Sequence, residues 1–378
     1  MIDFGLSEDQ EALQRAAREL LAAECPTTLV RETAKSPDGL PRGLYAKLAE
    51  NGWMGIAVPE KLGGLGLGSL ELALLHEELG RVAAPGPFLA TQLVIAALVR
   101  AGSAAQRKAW LPKLLAGDAF GSLAYLEESD AHGPAGIQLK ARKSRNEYRL
   151  TGTKPFALEA PAADVLLVAA RTGAGTGERG ISLLLVEKGT RGVRVRPEET
   201  FDLTRRVGEV TFKDAAVPKT ALVGAEGQGW KLLATLLDMG CVGIAADSLG
   251  GSWRTLEMAV EYSKTREQFG RKIGSFQAVK HIAAEMVADV EPARSLIWYA
   301  AYAADHRPRE ATRAATIAKA RLGDIYTSTA RRAVEIHGGI GFTWEHDLHL
   351  WFKRAQWNAV AFGDPTYHRE RLAVIDKY

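Results

Sequence analysis

The 378-residue sequence has few cysteines and no concentration of charge of either sign. Its two cysteines, Cys25 and Cys241, lie far apart and outside any Cys-x-x-Cys pattern, so the sequence predicts neither a disulfide framework nor a structural zinc site. The 48 basic and 45 acidic side chains leave a formal net charge of +3 and are spread along the chain, which argues against nucleic-acid binding. A reducing cytoplasm is the compartment that this cysteine usage favours.

Targeting segments and common enzyme signatures are also missing. The N-terminus carries acidic residues where a secretory signal would carry basic ones, and no apolar segment approaches ~18 residues, so we predict no membrane span. The sequence has neither a Gly-x-Ser-x-Gly elbow nor a phosphate loop ending in Gly-Lys-Ser/Thr. Gly63-Gly-Leu-Gly-Leu-Gly68 lacks Gly-x-Gly-x-x-Gly spacing and lies among helical segments, which favours a tight loop over a Rossmann site.

The pattern of apolar residues divides the chain into three units. Residues 1–119 show helical spacing that begins with a capping box at Ser7 and Gln10. Residues 120–225 contain strand-like runs at 148–151, 164–170, 181–186, 193–196 and 209–212, with Gly173–Gly177 as a hairpin loop. Residues 226–378 return to helical spacing, with helices predicted at 230–263, 275–304, 311–337 and 348–378. The order predicts an α+β protein with an N-terminal helical domain, a middle β domain and a C-terminal helical domain.

Two stretches carry residues suited to bind a cofactor. In the stretch 262–281 an apolar helix ends in a Gly-containing turn with Arg266, whose guanidinium is a bidentate partner for phosphate. The stretch 335–347 contains glycines that leave backbone amides open to close approach. C-cap turns and ordinary packing explain the same patterns. His346 and His349 suggest a metal pair on a helix, but a charged helix face explains them equally well, so we predict no metal site.

These stretches resemble the acyl-CoA dehydrogenase family, as does nearly the whole chain in the same order. The matching segments are Phe4–Gln10, Gly52–Gly66, Glu77–Arg81, Leu150–Lys154, Val217-Pro218 and Gly224–Gly229. The resemblance implies the acyl-CoA dehydrogenase fold, with a middle β-barrel or β-sandwich domain and a C-terminal four-helix bundle, assembled as a dimer of dimers. It also implies FAD and the α,β-dehydrogenation of an acyl-CoA thioester, in which a carboxylate removes the α-proton and the β-hydrogen leaves as hydride to the flavin.

The resemblance also implies which residues contact the cofactor. In the family, FAD lies between the β domain and the C-terminal helices, and a second subunit completes the pocket around its pyrophosphate and adenosine. Carried over to this sequence, Arg266 and Phe269 lie on the pyrophosphate side with Gln277 nearby, and the adenosine side is lined by Glu335, Gly338 and Gly339.

The chain departs from the family pattern where the catalytic base is expected. Gly363 occupies the position of the usual catalytic Glu, and an alternative family location falls near Gly240 and Cys241. Asp364, one residue from the first position, is the candidate base, and Asp247, about two turns beyond the second, is another. Either carboxylate requires an altered geometry.

The flavin-ring side departs as well. The segment Leu126–Gly133 lacks a hydroxyl that normally bonds the flavin, and Leu158 stands where another flavin-bonding Thr is expected. Because features that reach a partner's cofactor are kept while features that hold the chain's own flavin ring are lost, we predict a helper subunit. It pairs with a homologous catalytic chain in a heteromeric dehydrogenase, an arrangement that the family uses for bulky steroid side-chain thioesters.

Two other interpretations stay open at this point. One is a self-sufficient homotetrameric acyl-CoA dehydrogenase with Asp364 as its base. The other is a binding or scaffold protein that reuses the fold without a redox role. The resemblance also leaves open whether the substrate is a fatty-acyl or a steroid side-chain thioester, and whether an electron-transferring flavoprotein or oxygen reoxidises the flavin.

Overall fold

The computed structural model describes residues 5–378, and its first unit is helical, as predicted. Phe4, the first residue of the N-terminal family motif, lies outside the described residues. The predicted capping box is confirmed, because Ser7 Oγ accepts the Gln10 N–H at 3.3 Å and Gln10 Oε1 accepts the Ser7 N–H at 2.9 Å. The helices of this unit are α1 (Glu8–Glu24), α2 (Thr27–Thr33), α3 (Arg42–Glu50), α4 (Ser69–Arg81), α5 (Phe88–Ala101) and α6 (Ala104–Leu115).

The glycine-rich segment 63–68 forms a tight loop before α4, as predicted. Gly63 and Gly66 have φ angles of +91° and +68°, which glycine adopts without steric cost. A Cβ at Gly64 would lie 2.2 Å from the Val58 carbonyl oxygen, so the backbones are in close contact. Local packing therefore accounts for these glycines.

The middle unit is an eight-stranded sheet. Its strands are β1 (Gly121–Ala124), β2 (Lys140–Lys143), β3 (Glu147–Leu158), β4 (Val165–Arg171), β5 (Ile181–Glu187), β6 (Val193–Glu198), β7 (Val207–Pro218) and β8 (Leu222–Val223). The strand order is β6-β7-β3-β1-β4-β5-β8, and β2 pairs with β3 and β4. The five predicted strands are confirmed, and the loop containing Gly173–Gly177 joins the antiparallel pair β4 and β5.

The C-terminal unit is helical, with one difference from the prediction. Its helices are α7 (Trp230–Thr265), α8 (Gln277–His306), α9 (Pro308–His337), α10 (Leu348–Val360) and α11 (Pro365–Asp376). The predicted single helical stretch 348–378 was wrong, because residues 361–364 separate α10 from α11. Gly363 has φ +100°, outside the helical region, and Pro365 begins α11 at the position where proline is best tolerated.

Helix α7 joins the N-terminal and C-terminal units. By length and composition it is apolar enough to cross a membrane, contrary to the prediction that no segment approaches a span. However, 72% of its most apolar 18-residue stretch is buried inside the protein. Glycines let α7 approach its neighbours: a Cβ at Gly250 would lie 1.8 Å from the Glu77 carbonyl oxygen on α4. Close packing on several sides explains its apolar composition.

The hydrophobic core is continuous between the three units. Leu93 of α5, Leu167 of β4 and Leu236 of α7 belong to one cluster of buried residues. The loop between α10 and α11 lies against this cluster through Phe362. The region where a catalytic base is expected is therefore enclosed by helices on one side and the sheet on the other.

Candidate functional site

Gly363, at the expected position of the catalytic Glu, is closed in by packing. The residue is buried and has φ +100°. A Cβ built there would lie 2.3 Å from Cδ1 of Tyr367 and 3.2 Å from Nε2 of His368. A carboxylate side chain at this position would need both a strained backbone and displacement of the Tyr367 ring.

The alternative base location on α7 is closed in a similar way. A Cβ at Gly240 would lie 2.7 Å from the ring of Phe362. The neighbouring Cys241 is buried, with its Sγ 3.9 Å from His368 Nε2, and burial raises the pKa of this thiol to about 12. Cys241 is therefore a neutral thiol near pH 7, and it lacks the thiolate that a base or nucleophile requires.

Asp364, the candidate base, is the N-cap of α11. Its Oδ1 accepts the backbone N–H of Tyr367 at 2.7 Å, and the residue is exposed to solvent. This geometry satisfies one of the free amides of the first helical turn. The capping bond gives the carboxylate a structural role and directs one of its oxygens toward its own helix.

Asp247, the second candidate base, lies in a buried ionic cluster. Its carboxylate accepts from Arg354 Nε at 2.9 Å, Arg205 Nη2 at 2.9 Å and Asn358 Nδ2 at 2.8 Å. Burial alone would raise the pKa of Asp247, but Arg354 and Arg205 outweigh it and hold this pKa well below its usual value. The suggestion that Asp247 is a base is therefore wrong. Its side chain is only 1% exposed, and its ionised oxygens are occupied by cationic and amide donors.

A pocket of about 230 Å³ lies in front of the α10–α11 loop. Several of the side chains that line it were not predicted as site residues from the sequence. The ring of Tyr125 stacks on Phe362 at a centroid distance of 6.3 Å and an interplanar angle of 10°. Tyr125 Oη lies 3.0 Å from His132 Nδ1, and the His132 ring packs on Tyr367 at 5.0 Å. Tyr125 and His132 lie far in sequence from Phe362 and Tyr367, so only the folded chain shows that the two pairs meet.

Neither of the two positions where a flavin-bonding hydroxyl is expected carries one. Leu126 is half-buried and Leu158 is buried, and both side chains are apolar, as the sequence indicated. The Leu158 carbonyl already accepts Ser122 Oγ at 2.7 Å. Close by, the Lys154 ammonium donates to the Tyr125 carbonyl at 2.9 Å and to Glu127 Oε1 at 2.7 Å, and burial lowers the pKa of Lys154 to about 8. The Lys154 ammonium and the Glu127 carboxylate are therefore bonded to each other.

Arg266, Phe269 and Gln277 lie together at the exposed end of α7. A two-stranded hairpin, β9 (Glu267–Gln268) and β10 (Arg271–Lys272), follows the helix and carries Phe269 at its turn. Phe269 is 91% exposed and has φ +53°. In the described part of the chain the Arg266 guanidinium has no hydrogen-bond or ion-pair partner, and Gln277 is exposed at the start of α8.

Glu335, Gly338 and Gly339 lie at the same end of the molecule. All three are exposed, and a Cβ at either glycine would meet no atom within 4 Å. The two groups of predicted residues are joined by ring stacking between Tyr262 of α7 and His337 of α9, with centroids 4.4 Å apart and planes inclined by 21°. The structure therefore brings together the predicted pyrophosphate and adenosine contacts on one surface.

The two histidines considered as a metal pair do not share a helix. His346 precedes α10, while His349 is buried within it and its Nε2 lies 3.4 Å from Arg31 Nη2. Asp347 pairs with the same arginine at 2.7 Å. Among residues 5–378 no group of three or more His, Cys, Asp or Glu side chains is arranged to hold a metal ion.

The two candidate cofactor regions differ in how well they fit FAD. An unpaired guanidinium, an exposed aromatic ring and open glycines suit the phosphates and adenosine of a cofactor that another chain presents. The apolar side chains of Leu126 and Leu158 do not supply the hydrogen bonds that a flavin ring needs. The residues therefore fit the outer part of FAD better than its redox-active ring.

A larger cavity, of about 590 Å³, lies between α4, α5, α7, α8 and α9. Its inner walls are mostly apolar, with Leu72, Leu89 and Leu93 facing Val242. Trp230 and Ala234 of α7 line both this cavity and the smaller pocket, so the helix separates the two spaces. The size and lining are typical of small-molecule sites.

Comparisons with known proteins agree along the whole chain. Residues 7–118, 123–215 and 227–374 match the family models for the N-terminal, middle and C-terminal domains of acyl-CoA dehydrogenase. An acyl-CoA dehydrogenase of Bacillus subtilis (strain 168) is 31% identical over 99% of this chain and 98% of that protein.

Solved structures give the same result. Butyryl-CoA dehydrogenase from Megasphaera elsdenii superposes with a TM-score of 0.92 at 28% identity, and covers 100% of both chains. A variant of the Tcur3481-Tcur3483 steroid ACAD has a TM-score of 0.87 at 29% identity over 98% of each chain. The FAD complex of PigA has a TM-score of 0.90 at 27% identity over 99% of this chain and 98% of that one.

Proposed function

Because this chain belongs to the acyl-CoA dehydrogenase family, with the predicted fold confirmed and FAD as the family's cofactor, we propose that it is the helper subunit of a heteromeric acyl-CoA dehydrogenase. A homologous catalytic chain supplies the base and holds the flavin ring. This chain completes the outer part of the cofactor site across the subunit boundary. The closed packing at Gly363 is the observation that carries the proposal.

The packing argument concerns both places where a base is expected. Side chains from the protein itself occupy the space that a carboxylate would need at Gly363 and at Gly240. Protein interiors are packed too densely for an added side chain to fit without displacement of its neighbours. A single substitution at either glycine would therefore not restore a base, which distinguishes this chain from one that has lost only its catalytic carboxylate.

The surface argument concerns Arg266. A guanidinium with two parallel N–H donors pairs well with phosphate, and within the described residues the Arg266 guanidinium has no hydrogen-bond or ion-pair partner. When bound, FAD accepts the β-hydrogen of the acyl thioester as a hydride equivalent. The contribution of this chain is to neutralise phosphate charge with Arg266 and to cover the cofactor with Phe269 and the Gly338 loop.

The substrate proposal follows from the comparison with a solved steroid ACAD. The steroid ACAD, whose name joins two components, resembles this chain in fold over 98% of its length. We therefore assign the complex a bulky acyl-CoA thioester, with a steroid side chain as the first to test and a fatty-acyl chain as the second. An electron-transferring flavoprotein is the proposed electron acceptor, with oxygen as the alternative.

Flavin content tests the helper role directly. The chain is purified alone and as a complex with a homologous chain identified by co-purification and mass spectrometry, and FAD is measured per protomer by absorbance. We expect little FAD in the isolated chain and about one FAD per pair of chains in the complex. Near-stoichiometric flavin in the isolated chain, bleached by an acyl-CoA thioester, would overturn the proposal.

A matched pair of arginine variants tests the cofactor contact. Arg271 lies in the exposed hairpin that follows Arg266, but its guanidinium stacks over Phe276 at 4.1 Å. In the complex, Arg266→Ala should lower the retained FAD, whereas Arg271→Ala should not. Unchanged flavin in the Arg266→Ala complex would favour the non-redox scaffold interpretation.

Asp364→Asn separates the helper from the homotetramer with its own base. Asparagine caps a helix about as well as aspartate, so the fold and the bond to Tyr367 N–H should be retained while the base is removed. The helper proposal predicts unchanged activity of the complex. If the isolated chain oxidises acyl-CoA and Asp364→Asn abolishes that activity, Asp364 is the base of a self-sufficient enzyme.

A further inference from the structure

The larger cavity has the features of a binding site that the redox proposal does not use. We propose that it binds an apolar molecule carrying one hydrogen-bonding oxygen, and that the imidazole of His76 holds this oxygen. The inference goes beyond the proposed function, because it concerns binding alone and requires neither a flavin nor a partner chain.

His76 lies on α4 with its ring against the cavity. It is only 3% exposed, and no described residue forms a hydrogen bond with either ring nitrogen. Nε2 points toward the wall at Gly243, where a Cβ would lie 3.2 Å from it. Phe88 packs edge-to-face on the ring at 5.1 Å and fixes its orientation without offering a hydrogen bond.

The imidazole is neutral, so it suits a neutral oxygen rather than an anion. Burial lowers the pKa of His76 to about 3, and the nearby cations Arg205 and Arg354 act in the same direction against the opposite influence of Asp247. A neutral imidazole has one N–H donor and one acceptor nitrogen. A keto oxygen in the cavity can therefore accept from the His76 N–H, and a hydroxyl can either accept from that N–H or donate to the other ring nitrogen.

Two other polar side chains of the lining already form hydrogen bonds. Gln92 Nε2 donates to the Met54 carbonyl at 2.8 Å. Asp238 accepts from Thr312 Oγ1 at 2.7 Å and from Arg371 Nη2 at 2.8 Å. Of the two buried polar residues in the described lining, His76 and Gln92, only His76 has a side chain without any hydrogen bond, and a buried polar group without a partner is unfavourable. His76 therefore gains from a ligand that bonds it.

The size of the cavity fits a bulky ligand. At about 590 Å³ it is more than twice the volume of the pocket beside Phe362. Its leucine and alanine walls favour a hydrocarbon body, while Arg100, Glu178 and Lys231 also belong to its lining and can contact a polar end. A single polar group in an apolar cavity fixes the orientation of a ligand.

The test compares two probes that differ by one oxygen. Calorimetric binding of androstanone and of its parent hydrocarbon, androstane, is measured for the full chain. We expect the ketone to bind about tenfold more tightly than the hydrocarbon, as one hydrogen bond allows. His76→Phe should remove this preference and keep hydrocarbon binding, His76→Gln should restore part of it, and His306→Phe, an exposed change outside the lining, should have no effect.

A second variant tests the location independently of His76. Ala304→Leu adds volume to the α8 wall and should weaken binding of both probes at least tenfold. The inference is overturned if wild-type protein binds neither probe, if His76→Phe keeps the preference for the ketone, or if Ala304→Leu leaves both affinities unchanged.

Discussion

Substitution of Asp247 by asparagine should destabilise the protein more than any change at a surface ion pair. The carboxylate bonds Arg354 and Arg205, and Arg354 also donates to Thr204 Oγ1 at 2.7 Å and to the Ala84 carbonyl at 3.0 Å. The cluster therefore joins α7 and α10 to the loop before β7 and to the N-terminal unit. Removal of its charge leaves two buried guanidinium groups without the carboxylate that bonds both of them.

The expected magnitude follows from the burial of the cluster. Breaking a buried ion pair by removing one partner costs about 3–5 kcal/mol. With an unfolding entropy of about 2.1 cal/mol/K per residue, a chain of 378 residues has roughly 0.8 kcal/mol/K. Asp247→Asn should therefore lower Tm by about 4–6 °C.

Differential scanning calorimetry at several pH values checks both size and sign. Because the folded-state pKa of Asp247 is lowered, its contribution is present above the unfolded value near 3.8 and is lost as pH falls through the folded value. The Tm difference between wild type and Asp247→Asn should stay constant from about pH 5 to 8 and shrink below about pH 4.

A surface pair provides the control. Asp376 also forms a bidentate pair, with Arg313 at 2.8 and 2.9 Å, but the Arg313 side chain is half exposed, so Asp376→Asn should shift Tm by about 1 °C or less. In a double-mutant cycle, Asp247→Asn with Arg354→Met should cost less than the sum of the single changes. A shift for Asp247→Asn no larger than that for Asp376→Asn would refute the reasoning.

Three further changes test other parts of the protein. Gly363→Glu should lower Tm without conferring dehydrogenase activity on the isolated chain, because its side chain displaces Tyr367; a stable, active variant would contradict the packing argument. Glu159→Gln should flatten the pH dependence of Tm. Burial raises the pKa of Glu159 to about 7, so the wild type should lose stability as pH rises from about 4.5 to 7. Equal slopes of Tm against pH for wild type and variant in thermal scans would count against this. Phe269→Ser should leave the Tm of the isolated chain unchanged, because the ring is exposed, but should lower assembly with the partner measured by size-exclusion chromatography.

The sequence predicted the elements that local patterns encode. The Ser7–Gln10 capping box and the glycine loop before α4 were correct because their signals lie within a few residues. β1 was missed because it is only four residues long and includes Gly121 and Ala124, residue types that are depleted in strands. The break at Asp364-Pro365 carried a recognisable helix-start signal, an N-cap residue followed by proline, that the continuous helical prediction overrode.

The site could be predicted only in part, because its contacts are long-range. Asp247 is one of four acidic residues in α7, and its partner Arg354 is 107 residues away. Gly363 indicated that a carboxylate was missing, but only the fold gives the position of the Tyr367 ring that closes the space. His76 belongs to no sequence motif. Only the structure shows that its imidazole lies against a cavity without a hydrogen-bond partner among the described residues.

The exposed aromatic surface is better explained by assembly than by folding. Phe269, Phe342 and Trp344 are largely exposed at the end of the molecule that carries Arg266 and Gly338. Burial of one such side chain is worth about 1.5–3 kcal/mol, and the positive φ of Phe269 adds a backbone cost. The hairpin thus keeps the Phe269 ring exposed, although burial of the ring and a negative φ would each be more favourable. A second chain that covers the ring would offset both costs, and the same contact would bring Arg266 to the phosphates of a cofactor held by that chain.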